Sequence, residues 1–401
     1  MKKQSIFIAS IFLIFSSFSF AFEWGGLLSV GEELYNGQSE SLFDFDTNSS
    51  ELTVDGKLWL KTPFDDSGEN YFIAEGTYNF QYSSIADESD NTQYLDIDLF
   101  KLALSKETGS GKIDFAFGRF SFSDLSSVVY AQNGDGFLAK LASEQFSISA
   151  YGAYTGLLNG RAVTMLSVGD DDSFDEDEDK LYQLSEKFAA VSLSASFPNI
   201  VGNHEATAEF FGAFRLEGDS YNRFYGTLAL NGPILSSLFY NVSGTLGYKN
   251  YSEGDISDLG FLLQGSATYY PEFKNSSAGL SAIYACKRFT GFTSQTAVNA
   301  QTELQYNGLL KAGAFGSIKP IEKLLVSASA DAVCVYEELA NNAENASGDF
   351  GFRGLQFEFS ANWMPLSDVS FGFSLTQFLD TDKTGGDMSK TTFDIKASIS
   401  F

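Results

Sequence analysis

The sequence has few of the residues from which catalytic, metal and disulfide sites are built. It contains one histidine, His204, and two cysteines, Cys286 and Cys334. Two cysteines do not make a disulfide framework, and a hydrolytic triad needs a histidine beside its nucleophile. The histidine follows a predicted turn over 198–203, and the sequence contains neither a P-loop nor a nucleophile elbow. We therefore predict that the protein is not an enzyme and binds no cofactor.

Positive charge is also scarce. The chain has 25 Lys and Arg residues against 52 Asp and Glu residues, which gives a net charge of −27. A protein that binds nucleic acid needs a basic surface to neutralise phosphates, so no nucleic acid partner is expected. The acidic excess is compatible with attraction of cations or with well-solvated loops.

Long apolar runs are missing except at the N-terminus. Residues 1–21 begin with Lys2 and Lys3, continue through an apolar run and end in a small-x-small site at Ala21. This pattern predicts a cleaved signal peptide followed by a single mature domain over 22–401. No later segment approaches about 18 uninterrupted apolar residues, so no membrane-spanning helix is expected.

Aromatic residues and glycine are abundant. The chain contains 40 Phe, 19 Tyr and 37 Gly but only 6 Pro. Segments of alternating apolar and polar residues recur about every 20 residues, and most are roughly 9–13 residues long, which is the length of a tilted strand that crosses a bilayer. We count about 18 such segments, with 16 as the alternative count. They include 111–119 and 302–316.

The connections between these segments fall into two classes that alternate. Short ones such as 63–68 and 107–111 are followed by longer, more polar ones such as 83–93. The prolines lie in or beside the short connections, where a missing N–H does not disrupt a strand ladder. Short turns at one end and long loops at the other are typical of a transmembrane barrel.

The last nine residues, FDIKASISF, alternate strictly between apolar and polar side chains. This ending, with Phe393, Ile395, Ile399 and Phe401, resembles the C-terminal assembly signal of bacterial outer-membrane β-barrel proteins, which the barrel-assembly machinery recognises. The resemblance implies an all-β, transmembrane, antiparallel up-and-down barrel in the cell outer membrane, with short periplasmic turns and longer extracellular loops. Outer-membrane lipid and the barrel-assembly machinery would be its partners. Closure also removes the sheet edges that lipid does not tolerate.

The alternation assigns the two faces of each strand. Over 352–364, Leu355 and Phe357 are expected to face lipid, whereas Gln356 and Glu358 are expected to face inward. A soluble β-sandwich has the same pattern with its apolar face inward, but the signal peptide, the terminal Phe and the connections favour the membrane barrel. A polar inward face without a preceding plug domain predicts an unplugged, water-filled lumen.

Charged residues at inward positions are the first candidates for function. The acids of the early strands and the bases of the later strands are expected on opposite walls, where they would set up a transverse field, and the acids would favour cations. The alternative is a scattered polar lining with local ion pairs. The predicted pore-lining residues are Glu75, Asp96, Asp98, Asp114, Arg119, Arg215, Arg223, Lys287 and Lys311.

The connection 120–135 is the second candidate. It is less polar than an external loop should be, so we predict that it folds into the barrel and narrows it. The surrounding run, 118–160, weakly resembles segments of bacterial porin families. Arg119, Asp124 and Asp135 are the candidate residues of this constriction. The alternative is an ordinary hairpin loop.

An acidic run, GDDDSFDEDEDK, occupies residues 169–180. Asp171, Asp175, Asp177 and Asp179 are spaced so that they could collect Ca²⁺. An EF-hand loop, however, needs a glycine at its turn and a glutamate at position 12, and neither is placed correctly. The run is therefore interpreted as a solvated acidic loop, and no metal is predicted.

Together these features predict a porin-like channel for passive diffusion of small hydrophilic solutes, with a preference for cations as a further hypothesis. The alternative is an outer-membrane surface protein, an adhesin, whose extracellular loops bind a host or matrix ligand. A transporter of hydrophobic substrates would need a hatch and an apolar interior, and the sequence indicates neither. The sequence leaves the solute unnamed and a homotrimer open.

Overall fold

The computed structural model describes residues 22–37, 48–85, 88–163, 180–217, 221–251, 257–289, 291, 308–338, 347–381 and 389–401. The predicted signal peptide lies outside the described residues, and so do the calcium candidates Asp171, Asp175, Asp177 and Asp179. Among the described residues no helix is long and apolar enough to span a membrane.

The described residues form one 18-stranded sheet in which each strand pairs antiparallel with the strands before and after it in sequence. The first nine strands are β1 (Glu23–Gly37), β2 (Asn48–Pro63), β3 (Tyr71–Ile85), β4 (Glu88–Thr108), β5 (Gly111–Ser123), β6 (Ala131–Ala142), β7 (Ser147–Tyr154), β8 (Phe188–Phe197) and β9 (Glu205–Arg215). The other nine are β10 (Tyr221–Leu235), β11 (Leu238–Tyr251), β12 (Ser257–Tyr269), β13 (Ser277–Ala285), β14 (Leu309–Ile321), β15 (Leu324–Glu338), β16 (Ser347–Trp363), β17 (Val369–Asp380) and β18 (Lys390–Ser400). A 3₁₀ turn, Gly160–Ala162, lies between β7 and β8.

The first and last strands close the barrel. β1 and β18 pair from Leu27↔Ser400 to Gly37↔Lys390. Below these pairs, the Gly26 N–H donates to the Phe401 carbonyl at 2.9 Å, and the Phe401 N–H donates back at 3.0 Å. Lipid offers no hydrogen bonds, so a sheet at membrane depth is stable only when its edges pair with each other. The predicted antiparallel up-and-down barrel is confirmed, with eighteen strands rather than sixteen.

The outward face is apolar along most strands. Leu58, Leu228 and Leu246 are each more than half exposed. On the inward face of the same region, Thr227 and Thr245 are buried and share a hydrogen bond of 2.9 Å across β10 and β11. The two-residue period of a strand therefore places apolar side chains toward lipid and polar ones toward the lumen.

The eight short connections lie at one end of the barrel, which we call the short-turn end, with the start of β1 and the end of β18. They are 64–70, 109–110, 143–146, 198–204, 236–237, 270–276, 322–323 and 364–368. Their side chains shape them: the Asp65 carboxylate accepts from the Asn70 N–H at 3.2 Å, and the Ser143 hydroxyl accepts from the Phe146 N–H at 3.1 Å. The other connections, most of which are longer, lie at the opposite end, which we call the long-loop end.

Aromatic side chains cluster on the outside near the short turns. Trp363 stacks on Phe371 with ring centroids 5.6 Å apart, and Phe239 lies edge-on to Tyr270 at 5.8 Å. Trp24 is 65% exposed at the start of β1. Aromatic belts of this kind occur where a barrel meets the membrane–water interface, so this level marks one boundary of the apolar band.

Two segments differ from the sequence-based prediction. Residues 83–93 were expected to form a loop, but β3 runs to Ile85 and β4 begins at Glu88, and the two strands pair as far as Ile85↔Glu88. The sequence over 83–93 is mostly polar, so it has no apolar–polar alternation to detect. Of the strand predicted over 302–316, residues 302–307 lie outside the described residues. The described strand, β14, continues past 316 to Ile321, and a register irregularity between Ile318 and Ile321 accommodates Pro320 inside it.

We predict that Ile395→Lys lowers the free energy of unfolding by roughly 2–4 kcal/mol, the cost of a basic side chain facing mid-bilayer lipid. Ile395 is 49% exposed near the middle of β18. Urea unfolding in lipid vesicles, followed by loss of the compact barrel band on unheated gels, measures the change. Ser398→Lys, on the inward face of the same strand, is the control and should have a smaller effect. Equal effects would show that Ile395 does not face lipid.

Candidate constriction and lumen

The barrel wall divides where β5 turns away from β4. These strands pair only as far as Phe100↔Arg119, although β4 begins at Glu88. Gly118, beside the last pair, has a φ of 111°, and a Cβ built there would lie 1.9 Å from the Phe100 carbonyl oxygen. Only glycine fits this position, and the backbone irregularity that it permits directs the end of β5 away from its neighbour.

The β5–β6 connection, residues 124–130, is called here the inward loop. Asp124 closes it: its carboxylate accepts from the Ser126 N–H and the Tyr130 N–H, both at 2.9 Å. The Asp124 N–H also donates to the Tyr130 carbonyl at 2.8 Å. Asp124 is 4% exposed, so this predicted constriction residue holds the loop in shape rather than presenting charge to an opening.

The inward loop reaches across the lumen to strands on another part of the wall. The Leu125 N–H donates to the Glu209 carboxylate on β9. The Gln264 side-chain amide on β12 donates to the Ser126 carbonyl at 3.4 Å. β12 is six strands along from β6, so these bonds place the loop inside the barrel, within the segment 120–135 that the sequence singled out.

A second inward segment follows β13 and consists of residues 286–289 and 291. The Phe289 N–H donates to the Cys286 carbonyl at 3.0 Å, and Phe289 is 1% exposed with its ring 6.2 Å from that of Tyr225. A Cβ built on Gly291 would lie 3.0 Å from the Val129 Cα. The second inward segment therefore meets the inward loop inside the barrel.

The long-loop half of the lumen is apolar where these segments meet, which corrects the prediction that polar groups line the whole interior. Tyr130 packs on Phe211 with ring centroids 5.3 Å apart, and Phe211 packs on Tyr225 at 6.0 Å. Inward residues of the wall and residues of the two inward segments share one buried cluster, which includes Phe120, Phe122, Val128, Val129, Tyr151, Phe188, Leu262 and Phe289. Strand alternation did not indicate this cluster, because wall residues such as Phe211 pack on residues of the connections between strands, such as Tyr130 and Val129.

Where β5 no longer pairs with β4, the connection between β7 and β8 lies beside β4 instead. The Asn159 side-chain amide donates to the Leu95 carbonyl at 2.9 Å and to the Leu181 carbonyl at 3.2 Å. The Leu95 N–H in turn donates to the Leu181 carbonyl at 2.8 Å. Asn159 is fully buried. A loop segment and an amide side chain thus supply the hydrogen bonds that a neighbouring strand would otherwise make.

Arg119 and Asp135, predicted to line the constriction, form an ion pair in this divided part of the wall, with Arg119 buried and Asp135 partly buried. The Arg119 guanidinium donates to both oxygens of Asp135 at 2.9 and 2.8 Å. It also donates to the Tyr182 hydroxyl at 2.9 Å and the Leu157 carbonyl at 2.8 Å, and it lies 3.8 Å from Asp96. Arg119 and Asp96 are each 7% exposed, so the structure places both in a packed junction.

The other predicted acids lie together on one side of the lumen. The Lys57 ammonium lies 2.8 Å from the Asp98 carboxylate and 3.3 Å from that of Glu75. Asp114 accepts from the Ser105 hydroxyl at 2.7 Å. This wall is acidic overall, but Lys57 neutralises part of its charge.

The predicted bases lie on β9, β10 and β14 and beyond the end of β13, and Arg215 and Lys311 have carboxylate partners. The guanidinium of Arg215 lies 2.7 Å from the Glu186 carboxylate, and the Lys311 ammonium lies 3.7 Å from that of Asp331. Arg223 is buried on β10 at 1% exposure. Lys287 is exposed beyond the end of β13, with its ammonium 5.9 Å from the centre of the Tyr336 ring. Carboxylate partners weaken the predicted transverse field, which stays a prediction.

Between the inward loop and the short-turn end lies a chamber of about 490 Å³. Leu125, Ser126 and Ser127 of the inward loop line one side of it. The wall residues on which the chamber chiefly depends are Thr207, Asn231, Asn241, Ser243, Gln264 and Ser266. The sequence analysis considered charged residues and missed these, although their even spacing at inward positions of β9–β12 was a detectable signal.

The histidine and the two cysteines do not form a catalytic or metal-binding group among the described residues. A ring nitrogen of His204, Nδ1, lies 3.0 Å from the Tyr240 hydroxyl at the short-turn end. The thiols of Cys286 and Cys334 are free. Within the described ranges, no group of three or more His, Cys, Asp or Glu side chains is arranged to hold a metal ion.

The predicted assembly-signal residues lie in the strand that closes the barrel. Ile395, Ile399 and Phe401 are exposed on its outward face. Phe393 contacts Phe373 of β17 edge-on, with ring centroids 4.8 Å apart. Recognition of this strand by the assembly machinery stays a prediction.

No protein-family model and no curated protein sequence matches the chain. Solved structures do. The outer membrane protein OprD from Pseudomonas aeruginosa matches with a TM-score of 0.54 and 13% identity over 94% of each chain. The fold is that of an outer-membrane β-barrel. Acinetobacter baumannii OccAB4 matches with a TM-score of 0.61 and 12% identity over 94% of this chain and 98% of its own. The outer membrane protein opdK from P. aeruginosa matches at 0.59 and 8% identity, over 94% and 99%.

We predict that Arg119→Ala lowers the free energy of unfolding by about 3–5 kcal/mol, because it leaves the buried Asp96 carboxylate and the partly buried Asp135 carboxylate without their shared base. Urea unfolding in vesicles measures the change. Lys112→Ala is the control on the same strand, since the Lys112–Glu69 pair is largely exposed and should matter little. Equal midpoints for the two variants would contradict a structural role for the junction.

Proposed function

We propose that the protein is an outer-membrane channel for passive diffusion of small hydrophilic solutes. Support comes from the closed 18-stranded barrel and from its likeness in fold to proteins described as outer membrane proteins. In this proposal residues 1–21 are cleaved, 22–401 form the barrel, and outer-membrane lipid surrounds it. Assembly by the barrel-assembly machinery and a homotrimeric state remain predictions from the sequence.

The observation that carries the proposal is the inward loop held across the lumen by Glu209. Glu209 on wall strand β9 accepts a hydrogen bond from the backbone N–H of Leu125 in the inward loop. This bond fixes how far the loop extends across the lumen and therefore how wide the passage is. The second inward segment meets the loop at Val129, so the narrow region has walls on both sides. A solute entering from the long-loop end would pass beside this contact to reach the chamber.

A preference for cations is the finer part of the proposal. It is supported by Glu75, Asp98 and Asp114 on one wall, where Lys57 pairs with Glu75 and Asp98. Acidic lining raises the local concentration of cations, but partial neutralisation by Lys57 limits the effect. We therefore expect moderate rather than strong selectivity.

Binding of a host or matrix ligand by the extracellular loops stays a prediction. The longest of those loops includes residues 164–179, which lie outside the described part of the chain. The channel is favoured over this alternative by features of the lumen, which are the closed barrel and the inward loop held by Glu209.

The channel is tested by single-channel recording in a planar bilayer. We expect steady conductance, and we expect Glu209→Ala to raise it by freeing the inward loop. A hydrogen bond to a charged group contributes about 1.5–3 kcal/mol, so its loss should raise the population of a detached loop roughly tenfold or more.

Glu205→Ala is the matched control for Glu209→Ala. Glu205 lies on the same inward face of β9 and accepts from the Ser196 hydroxyl, but it does not hold the loop. Its conductance should remain close to that of the unmodified protein. Absence of conductance from a folded barrel would contradict the channel function. Equal conductance of the two variants would contradict the role of Glu209 in holding the inward loop.

Cation preference is tested by the reversal potential in a KCl gradient. We expect a potential of the sign that indicates cation selectivity, and we expect Asp114→Lys to shift it toward anions because it reverses a charge on the lumen wall. Asp368→Lys, at an exposed turn, is the control and should shift the potential less. A reversal potential near zero in the unmodified protein would contradict the preference.

A further inference from the structure

The lumen wall is divided into a charged sector and a neutral one. β2–β4 carry Lys57, Glu75 and Asp98, and the Lys57 ammonium lies 3.3 Å from the Glu75 carboxylate and 2.8 Å from that of Asp98. Across the barrel, the wall of the chamber on β10–β12 is built from amide and hydroxyl side chains such as Asn231 and Asn241. A solute that occupies the chamber therefore meets a surface of different chemistry from that of the acidic wall.

The neutral side chains form two continuous rows across adjacent strands. In the first row Asn231 pairs with Asn241, which pairs with Ser266. The second row is one pleat nearer the inward loop. In it Ser243 pairs with Gln264 on one side and Ala229 on the other, and both of these residues are uncharged. Cross-strand partners lie about 4.5–5.5 Å apart at Cβ, so each row presents closely spaced hydrogen-bonding groups.

The second row is joined to the inward loop. Ser243 donates to the Gln264 amide oxygen at 3.2 Å, and the Gln264 amide nitrogen donates to the Ser126 carbonyl at 3.4 Å. The first row is directed into the chamber: within the described residues, no hydrogen bond is made by the side-chain amides of Asn231 and Asn241. Each amide offers two donors and one acceptor oxygen to a solute.

The charged groups that line the chamber cancel. They are Lys311 and Asp331, whose nitrogen and oxygen lie 3.7 Å apart on β14 and β15. A solute with a net charge would give up hydration here without gaining a counter-charge, which is unfavourable. A neutral solute with several hydroxyl groups exchanges its bonds with water for bonds with amides and hydroxyls at little cost.

We propose that the chamber is a binding site for neutral, hydroxyl-rich solutes of about the size of a mono- or disaccharide. The amides of Asn231 and Asn241 hold the solute's hydroxyl groups, and the inward loop covers it from the long-loop side. The chamber volume of about 490 Å³ is within the range of small-molecule sites, roughly 300–1,000 Å³. The inference deepens the proposed channel function and rests on it.

The experiment measures reversible block of the single-channel current by maltose added to KCl solution. Lysine and glucuronate serve as charged solutes of comparable or smaller size. We expect maltose to block at lower concentration than either. Loss of one hydrogen bond lowers affinity about fivefold, so Asn241→Ala should raise the half-blocking concentration by that factor and the double variant N231A/N241A roughly 25-fold.

Asn362→Ala is the matched control, because Asn362 is exposed near the short-turn end of β16 and does not line the chamber. Its half-blocking concentration should equal that of the unmodified protein. Stronger block by lysine or glucuronate, or a maltose block that N231A/N241A leaves unchanged, would overturn the binding site while the measured conductance still supports the channel. No conductance in any variant would instead contradict the proposed function on which the inference rests.

Discussion

The structure depends on one constraint, which is that every backbone N–H and C=O at membrane depth must find a partner in the protein. The pairing of β1 with β18 meets the constraint at the seam of the barrel. It is harder to meet beyond Phe100, where β5 leaves β4. There the Asn159 amide and the Leu181 carbonyl bond to Leu95, and Arg119 with Asp135 fills the remaining space. A buried arginine with a partly buried carboxylate partner and a fully buried asparagine in a barrel wall follow from this departure.

The same departure produces the narrow part of the lumen. Because the end of β5 points inward, its Phe120 and Phe122 and the loop after them must be covered, and the inward residues of β7–β10 are correspondingly aromatic. Asp124 holds the turn of the loop, while Glu209 holds its position against β9. An apolar cluster gives the loop most of its burial, and two carboxylates define its geometry. The packing and the polar contacts therefore have separate roles.

The barrel could be predicted from the sequence because strand alternation and turn length are local properties. The lipid-facing positions of Leu355 and Phe357 follow from a period of two, and the strand count follows from the number of alternating segments. The position of the loop 120–135 was suggested by its unusual apolar content. Its contacts could not be predicted, since Glu209 and Gln264 lie far from it in sequence. The sequence singled out both Arg119 and Asp135, but it did not predict that the two side chains form an ion pair.

Net charge is a poor guide to the chemistry of the lumen in this protein. The chain carries a charge of −27, yet most lumen acids with resolved contacts have a base nearby: Lys57 lies between Glu75 and Asp98, and Lys311 lies beside Asp331. Paired charges produce fields that fall off within a short distance, and salt screens what remains over roughly 8–10 Å. Selection inside the chamber must then depend on short-range hydrogen bonding, to which the uncharged rows of β10–β12 contribute more than any formal charge.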